Sequence, residues 1–336
     1  HNLDLSNVGP LLPTDGGTIR HLAFVDVTYV SDTNARFGLF ERGVPQAAIS
    51  VVDVVLSSID IRTEDQYVGT LLGYSGSHMV LDGVRASGVT VSSTNANAAL
   101  GILAGQQAYL SISDVILDAN SHVIGVTGAN QAGGVAGVSK VVTASDVTVA
   151  ATVVGADAGT GALIGKIHLT GSKGTFERIR VTSQASVTGA GSYTGGIIGF
   201  MEEGSIRDSY SRAMVESGND ELGGLVGRAD NQGPISLADV YFAGTISPTT
   251  AQAGAIVGDT DNSTITYTDA VWDAEESGIT VSATGSIDSN TTISGTTVSM
   301  TTTSATTEAS YTTSPLDWDF TNTWKIESGQ NDGYPI

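Results

Sequence analysis

Seven aspartates, Asp26, Asp53, Asp114, Asp146, Asp208, Asp239 and Asp269, each stand at the head of a short alternating stretch such as Asp114-Val115 or Asp146-Val147. If those stretches are strands that stack, the carboxylates fall in a line along one edge. A line of acids has two chemical uses. It can hold Ca²⁺ through oxygen ligands, or act as acid and base on a glycosidic bond, which needs carboxylates converging on one groove. A structural use competes with both and is preferred here: Asp at a strand entrance caps a turn by bonding backbone N–H groups. No copy breaks the pattern to add a cluster of Asp, His and Lys, as functional sites tend to do. The histidines His1, His21, His78, His122 and His168 are scattered, without ligand spacing, and read as surface or turn residues. Glu202-Glu203 and Glu275-Glu276 read as solvated turn charges. Asp259, Asp261 and Asn262 offer oxygens for at most an adventitious cation, and the calcium nonapeptide Gly-Gly-x-Gly-x-Asp is absent. Asn262-Ser263-Thr264 and Asn290-Thr291-Thr292 fit the glycosylation acceptor pattern. No catalytic residue and no cofactor is assigned, and Ca²⁺ is the one ion the acids would suit.

Composition narrows the classes further. The chain has 336 residues, no Cys and a net charge of −21. Without Cys there is no disulfide framework, thiolate metal site or thiol nucleophile. The charge opposes nucleic acid, because binding to its backbone needs cations that displace counterions. No stretch approaches the run of about 18 apolar residues that spans a membrane, and no secretory apolar region is present. The first residue is His1, which reads as a processed or excised product. Lys is scarce and Asp outnumbers Glu, a surface that stays hydrated in concentrated salt, so a halophilic or an ordinary acidic secreted protein is expected.

The elements that must position these residues follow from an internal repeat. A core Gly-x-φ-φ-Gly, with φ apolar, recurs at Gly69–Gly73, Gly101–Gly105, Gly133–Gly137, Gly161–Gly165, Gly195–Gly199, Gly223–Gly227 and Gly254–Gly258. A degenerate copy surrounds Gly38-Leu39-Phe40. The period is about 30 residues, and each repeat reads as three short β segments separated by turns. None of the seven prolines lies between Gln46 and Gly233, as suits strands with neighbours on both sides. Thirty residues are short for a propeller blade, and hairpin Asn-Gly or Asp-Gly pairs are scarce. The expected fold is therefore an all-β, right-handed parallel β-helix of about nine coils with a C-terminal cap. The glycines would supply positive φ or room where two sheets meet at a corner. Of the two φ residues, one would point inward and one outward. Equivalent residues would form ladders, such as Leu71/Leu103/Val135/Leu163/Ile197/Leu225/Ile256. Ser211–Leu222 leaves room for a short helical turn.

These residues resemble the GLUG-motif repeats of bacterial and archaeal surface proteins. The resemblance rests on Gly223-Gly224-Leu225-Val226-Gly227, on the opening phrase Gly16-Gly17-Thr18-Ile19-Arg20-His21-Leu22 with Asp26-Val27-Thr28, and on the closing phrases Trp318-Asp319-Phe320, Trp324-Lys325-Ile326 and Gly333-Tyr334-Pro335. It covers residues 9–336. Ala104, Ala136, Ala162 and Ala255 depart from the pattern. The resemblance implies large secreted or wall-attached, adhesin-like proteins and no catalytic residue.

The expected organisation is a repeat domain at 1–282, followed by Thr/Ser-rich final coils and an aromatic cap at 283–336. The Thr/Ser segment reads as irregular last coils ahead of an O-glycosylated stalk. Trp318, Phe320, Trp324 and Tyr334 read as a cap over the last coil ahead of a sugar platform. The expected role is an extracellular structural and adhesive protein, part of a surface adhesin or a filament subunit. Its partners would be other surface subunits or cell-surface glycans, with possible end-to-end association through open coils. Asn2–Val8 could complete a coil in its own chain or add to a neighbour. The alternatives are a polysaccharide-binding or polysaccharide-degrading β-helix and a viral host-recognition fibre.

Overall fold

The computed structural model describes residues 3–4, 16–31, 36–40, 48–125, 131–156, 159–168, 171–218, 221–230, 233–248, 252–280 and 282–336 (the backbone alone at 3, 4 and 31). The chain winds into a parallel β-solenoid of about eight turns. Each turn contributes a short glycine-bearing strand, a long kinked strand and a third short strand, such as Gln131–Gly133, Ala136–Val149 and Thr152–Gly155. Each element pairs in parallel with its counterpart one turn away. Parallel pairing excludes the antiparallel blades of a propeller. The pattern of apolar residues explains the winding: in Ser186–Gly189, Val187 and Gly189 face inward while Ser186 and Thr188 do not.

The glycine-bearing strands form their own seven-stranded sheet, which Gly254 extends by a bridge to Gly223. Arg36–Phe37, the first of its strands, leads into Gly38-Leu39-Phe40, so the degenerate copy is a true rung. The apolar ladder forms as expected. Backbone hydrogen bonds of 2.9–3.2 Å run from Leu71 through Leu103, Val135, Leu163, Ile197 and Leu225 to Ile256. The turn count is about eight because, after the Gly254 rung, Thr284–Ile287 and Thr292–Met300 add a last layer and the chain then leaves the coil to become the cap.

Two local expectations are corrected. Both φ residues of each core are buried, for example Leu103 with Ala104 and Ile197 with Ile198. The glycine core is a bend and not a continuous strand, so alternation lapses there. None of the core glycines has a positive φ; they provide space alone. A Cβ on Gly223 would lie 1.8 Å from the Val226 carbonyl oxygen and 2.7 Å from the Gly258 nitrogen. Ser211–Leu222 contains the strand Met214–Ser217 where a helical turn was allowed.

Residues 283–314 complete the last layer and then form two short helical turns, Thr302–Ala305 and Glu308–Ser310. Behind them Trp318, Trp324 and Tyr334 are buried against Tyr210, Tyr241 and Val271 of the coils, in a second apolar cluster beside the main core. Tyr241 stacks on Tyr210 at 4.9 Å, and its hydroxyl donates to the Pro335 carbonyl at 2.7 Å. Arg212 ties the cap down by donating to Asp332 and Asn331 and lying over the Tyr334 ring at 4.3 Å. At the other end the strand Gly17–Ser31 pairs on its outer side with Leu3–Asp4, at Val27 and Thr28. Leu22 and Val25 on this strand are exposed. The rest of Asn2–Val8 lies outside the described residues.

Candidate functional site

The aspartates fall on a sharp corner of the coil, where one residue per turn adopts left-handed backbone geometry. In register, that column reads His21, Asp53, Gly83, Asp114, Asp146, Arg178, Asp208, Asp239 and Asp269, with φ from 48° to 66°. Short polar residues and Gly tolerate this conformation. The structural reading of the aspartates therefore stands on backbone tolerance and not on capping N–H groups. Asp26 is not in this column: it stacks on Ser58 and Gly88, a second left-handed corner of the first turns. Arg178 breaks the series. It forks onto Asp146 with two 2.8 Å bonds and also pairs with Glu177, and this bonding to Arg178 holds the Asp146 carboxyl below its usual range. Arg85 also pairs with Asp114, its Nη2 alone donating to both carboxylate oxygens.

Below Arg178 the column is all acid. Burial first, and then the charges of Asp208, Asp269 and the cap's Asp317, push the Asp239 carboxyl up to about 6. Burial also raises Asp208. Among the described residues no group of three or more His, Cys, Asp or Glu could hold a metal ion. The raised value fixes a sign. The folded chain binds a proton at Asp239 more tightly than the unfolded chain, so this residue's stabilising contribution fades as pH rises from about 4 through 6. Asp239→Asn keeps the left-handed corner and removes the charge. We expect it to raise the thermal midpoint by about 2 °C at pH 7.5 and to lose that advantage at pH 4.5, as measured by calorimetry at both values.

The other singled-out residues are absorbed by pairing. Glu202 is buried, not solvated. It bonds His168 and Ser172, as a buried carboxylate must find partners. Its neighbour Glu203 pairs with Lys173 at 2.9 Å. Glu275 and Glu276 do lie at a helix start, where Glu275 accepts from the Thr302 N–H. Asp259 and Asp261 close on the Arg228 guanidinium at 3.3 and 2.7 Å, so an arginine fills the place proposed for a cation. His21 lies 3.4 Å from Asp53, and His78 bonds Ser111. His122 sits in the strand His122–Gly125, while His1 lies outside the described residues.

Asn262 and Asn290 are both exposed and occupy adjacent rungs, with the Asn262 N–H donating to Asp288 at 2.9 Å. Rungs are about 4.8 Å apart, too close for two branched glycans. Expression in a glycosylating host should therefore add one glycan per chain and never two, which intact mass reads directly.

One surface cleft was not visible in the sequence. A cleft of about 740 Å³ lies where the cap stops short of the coil face. Its coil wall is Arg180, Gln184 and Tyr210, and its cap wall includes Phe320, Asn322 and Trp324. Arg180 stands one rung above Tyr210, which stands one rung above Tyr241. The coil wall thus continues the column that the cap covers. The cleft carries Arg180 and Lys325 against Asp332, a cationic balance in a chain of net charge −21. No described residue forms a hydrogen bond or ion pair with the Arg180 side chain, whereas Lys325 pairs with Glu327. The Trp324 Nε1–H is buried without an acceptor among the described residues. Aromatic faces, side-chain amides and a free guanidinium suit a polar ligand with an apolar face. The signal that could have located the cleft is Arg180 at a place where the neighbouring rungs carry Thr148 and Tyr210.

No protein-family model, curated protein or solved structure matches the chain.

Proposed function

We propose that this protein is an extracellular structural and adhesive β-solenoid whose coils form a stiff arm and whose capped end contacts a partner at a surface. The observation that carries the reading is the cleft at the cap margin, an open polar and aromatic site held between two rigid walls. Two further features support it. The acidic, Cys-free composition and the resemblance to GLUG repeats fit the cell exterior. The outer edge of Gly17–Ser31, with Leu22 and Val25 exposed, offers a joint to another surface subunit. The cap lies along the flank of the last turns, against Tyr210, Tyr241 and Val271 on successive rungs, and the final strand Thr292–Met300 stays largely exposed, so that end also presents an open edge. A viral host-recognition fibre would use the same parts.

The test is a glycan array probed with the whole chain, alongside a variant whose cleft is filled by Gln184→Trp. Binding lost in the variant supports the adhesive reading. An empty array, together with long assemblies in light scattering and electron microscopy, would replace it with a purely structural role.

A second reading, cleavage of a polysaccharide, is favoured by Asp239. A carboxyl pushed up to about 6 beside other acids is a general-acid environment. Release of reducing ends from an acidic polysaccharide, abolished by Asp239→Asn, would support it, and the absence of release would remove it.

A further inference from the structure

We infer that the cap-margin cleft selects carboxylated saccharides, with the Arg180 guanidinium receiving the sugar carboxylate. This inference rests on the adhesive reading above and names its ligand class. The first argument is charge. The chain carries 35 acidic residues, and most of its described arginines face one of them. Arg180 lies close enough to feel Asp146, yet Arg178 takes both oxygens of that carboxylate. Among the described residues none takes up the Arg180 fork of donors at the cleft, and such a fork matches a carboxylate with two parallel hydrogen bonds. A neutral ligand would gain less from it, and a cationic one would be repelled.

The second argument is the chemistry of the walls. Phe320 is part-exposed beside Thr321, Asn322 and Thr323, whose side chains stand open to solvent. An aromatic face next to hydroxyl and amide groups matches a pyranose, which has an apolar C–H face and an equatorial rim of hydroxyls. Across the cleft from Phe320, Gln184 is exposed on the coil, four residues beyond Arg180 in the same turn. A simple inorganic anion would satisfy the guanidinium alone and leave the ring and amides unused. A peptide carboxylate would leave the hydroxyl-rich cap wall without its complement.

The experiment is calorimetric titration of the whole chain with a glucuronate-containing tetrasaccharide, its carboxyl-reduced neutral counterpart, and sodium acetate. The acidic tetrasaccharide should bind at least tenfold more tightly than the reduced one, and acetate should compete weakly. Arg180→Gln should abolish that preference, Arg180→Lys should restore part of it, and Phe320→Ala should weaken both saccharides together. The Arg180 side chain bonds no described residue, so an unchanged melting profile of the variants separates lost recognition from lost folding. Equal binding of the acidic and neutral sugars, or full binding by Arg180→Gln, overturns the inference while leaving the cleft as an adhesive site. Acetate binding as tightly as the acidic sugar overturns it in favour of a simple anion site. Binding of no saccharide at all overturns both this inference and the adhesive reading on which it rests.

Discussion

Replacing Gly223 by Ala should cost about 3 kcal/mol or more, whereas replacing Gly76 by Ala should be neutral or slightly stabilising. The two glycines differ in what stands around them. A Cβ at Gly223 would lie 1.8 Å from the Val226 carbonyl oxygen, and the next contacts are backbone atoms as well. Backbone at a solenoid corner cannot rotate aside, because the Val226 and Gly223 segments are each fixed by hydrogen bonds to both neighbouring turns. At Gly76 nothing lies within 4 Å of the added carbon and the backbone is not left-handed. There, Ala lowers the entropy of the unfolded chain by about 0.4–1 kcal/mol. Urea midpoints for the two variants are the direct comparison. Hydrogen exchange should also show the Gly223 damage centred on the Gly195 and Gly254 rungs, since a solenoid transmits strain mainly between nearest neighbours. Similar midpoints for both variants would mean that the glycine core is tolerated filler and not a steric requirement.

That contrast also marks how much of the molecule is legible in its sequence. The repeat is legible because stacking forces equivalent residues into register, so Leu71, Leu103 and Val135 recur at nearly fixed spacing and hydrogen-bond to one another. The role of the core glycines is only half legible. Their recurrence is plain, but a glycine needed for space looks the same in sequence as one needed for positive φ. The corner aspartates show the opposite failure. Their spacing groups Asp26 with Asp53, yet in the fold Asp26 stacks on Ser58 and Asp53 stacks on His21, because the first turns have two left-handed corners five residues apart. Arg178 escapes the pattern search because it is the wrong residue type in the right place. The cleft escapes it entirely. Arg180 and Asn322 are 142 positions apart in the chain, and only the return of the cap onto the coil face makes them neighbours. The aromatic residues of the cap were legible as a packed cluster because large rings need a surface that buries them; that this surface would be the flank of the last turns, with a gap left there, was not.

Trp318→Ala should lower stability by about 3–5 kcal/mol and turn a discrete species into a concentration-dependent assembly. Trp318 is buried in the middle of the cap, with ring centroids 4.6 Å from Trp324 and 4.7 Å from Tyr311, and its Nε1–H donates to the Asp269 carbonyl at 3.1 Å. Its loss removes an anchor from the layer that shields the last turns, including Tyr241 and Val271. Loosening the cap bares that aromatic and apolar flank, and an exposed apolar patch of this kind drives association between chains. Two measurements separate the cap's two duties. A lower thermal midpoint reports the packing, while growth of the light-scattering mass with concentration reports the bared face. A variant that melts early yet stays at constant mass would show that the cap stabilises the coil without guarding it against association. In that case the face beneath the cap would add nothing to the filament alternative, which would rest on the outer edges of the first and last strands alone.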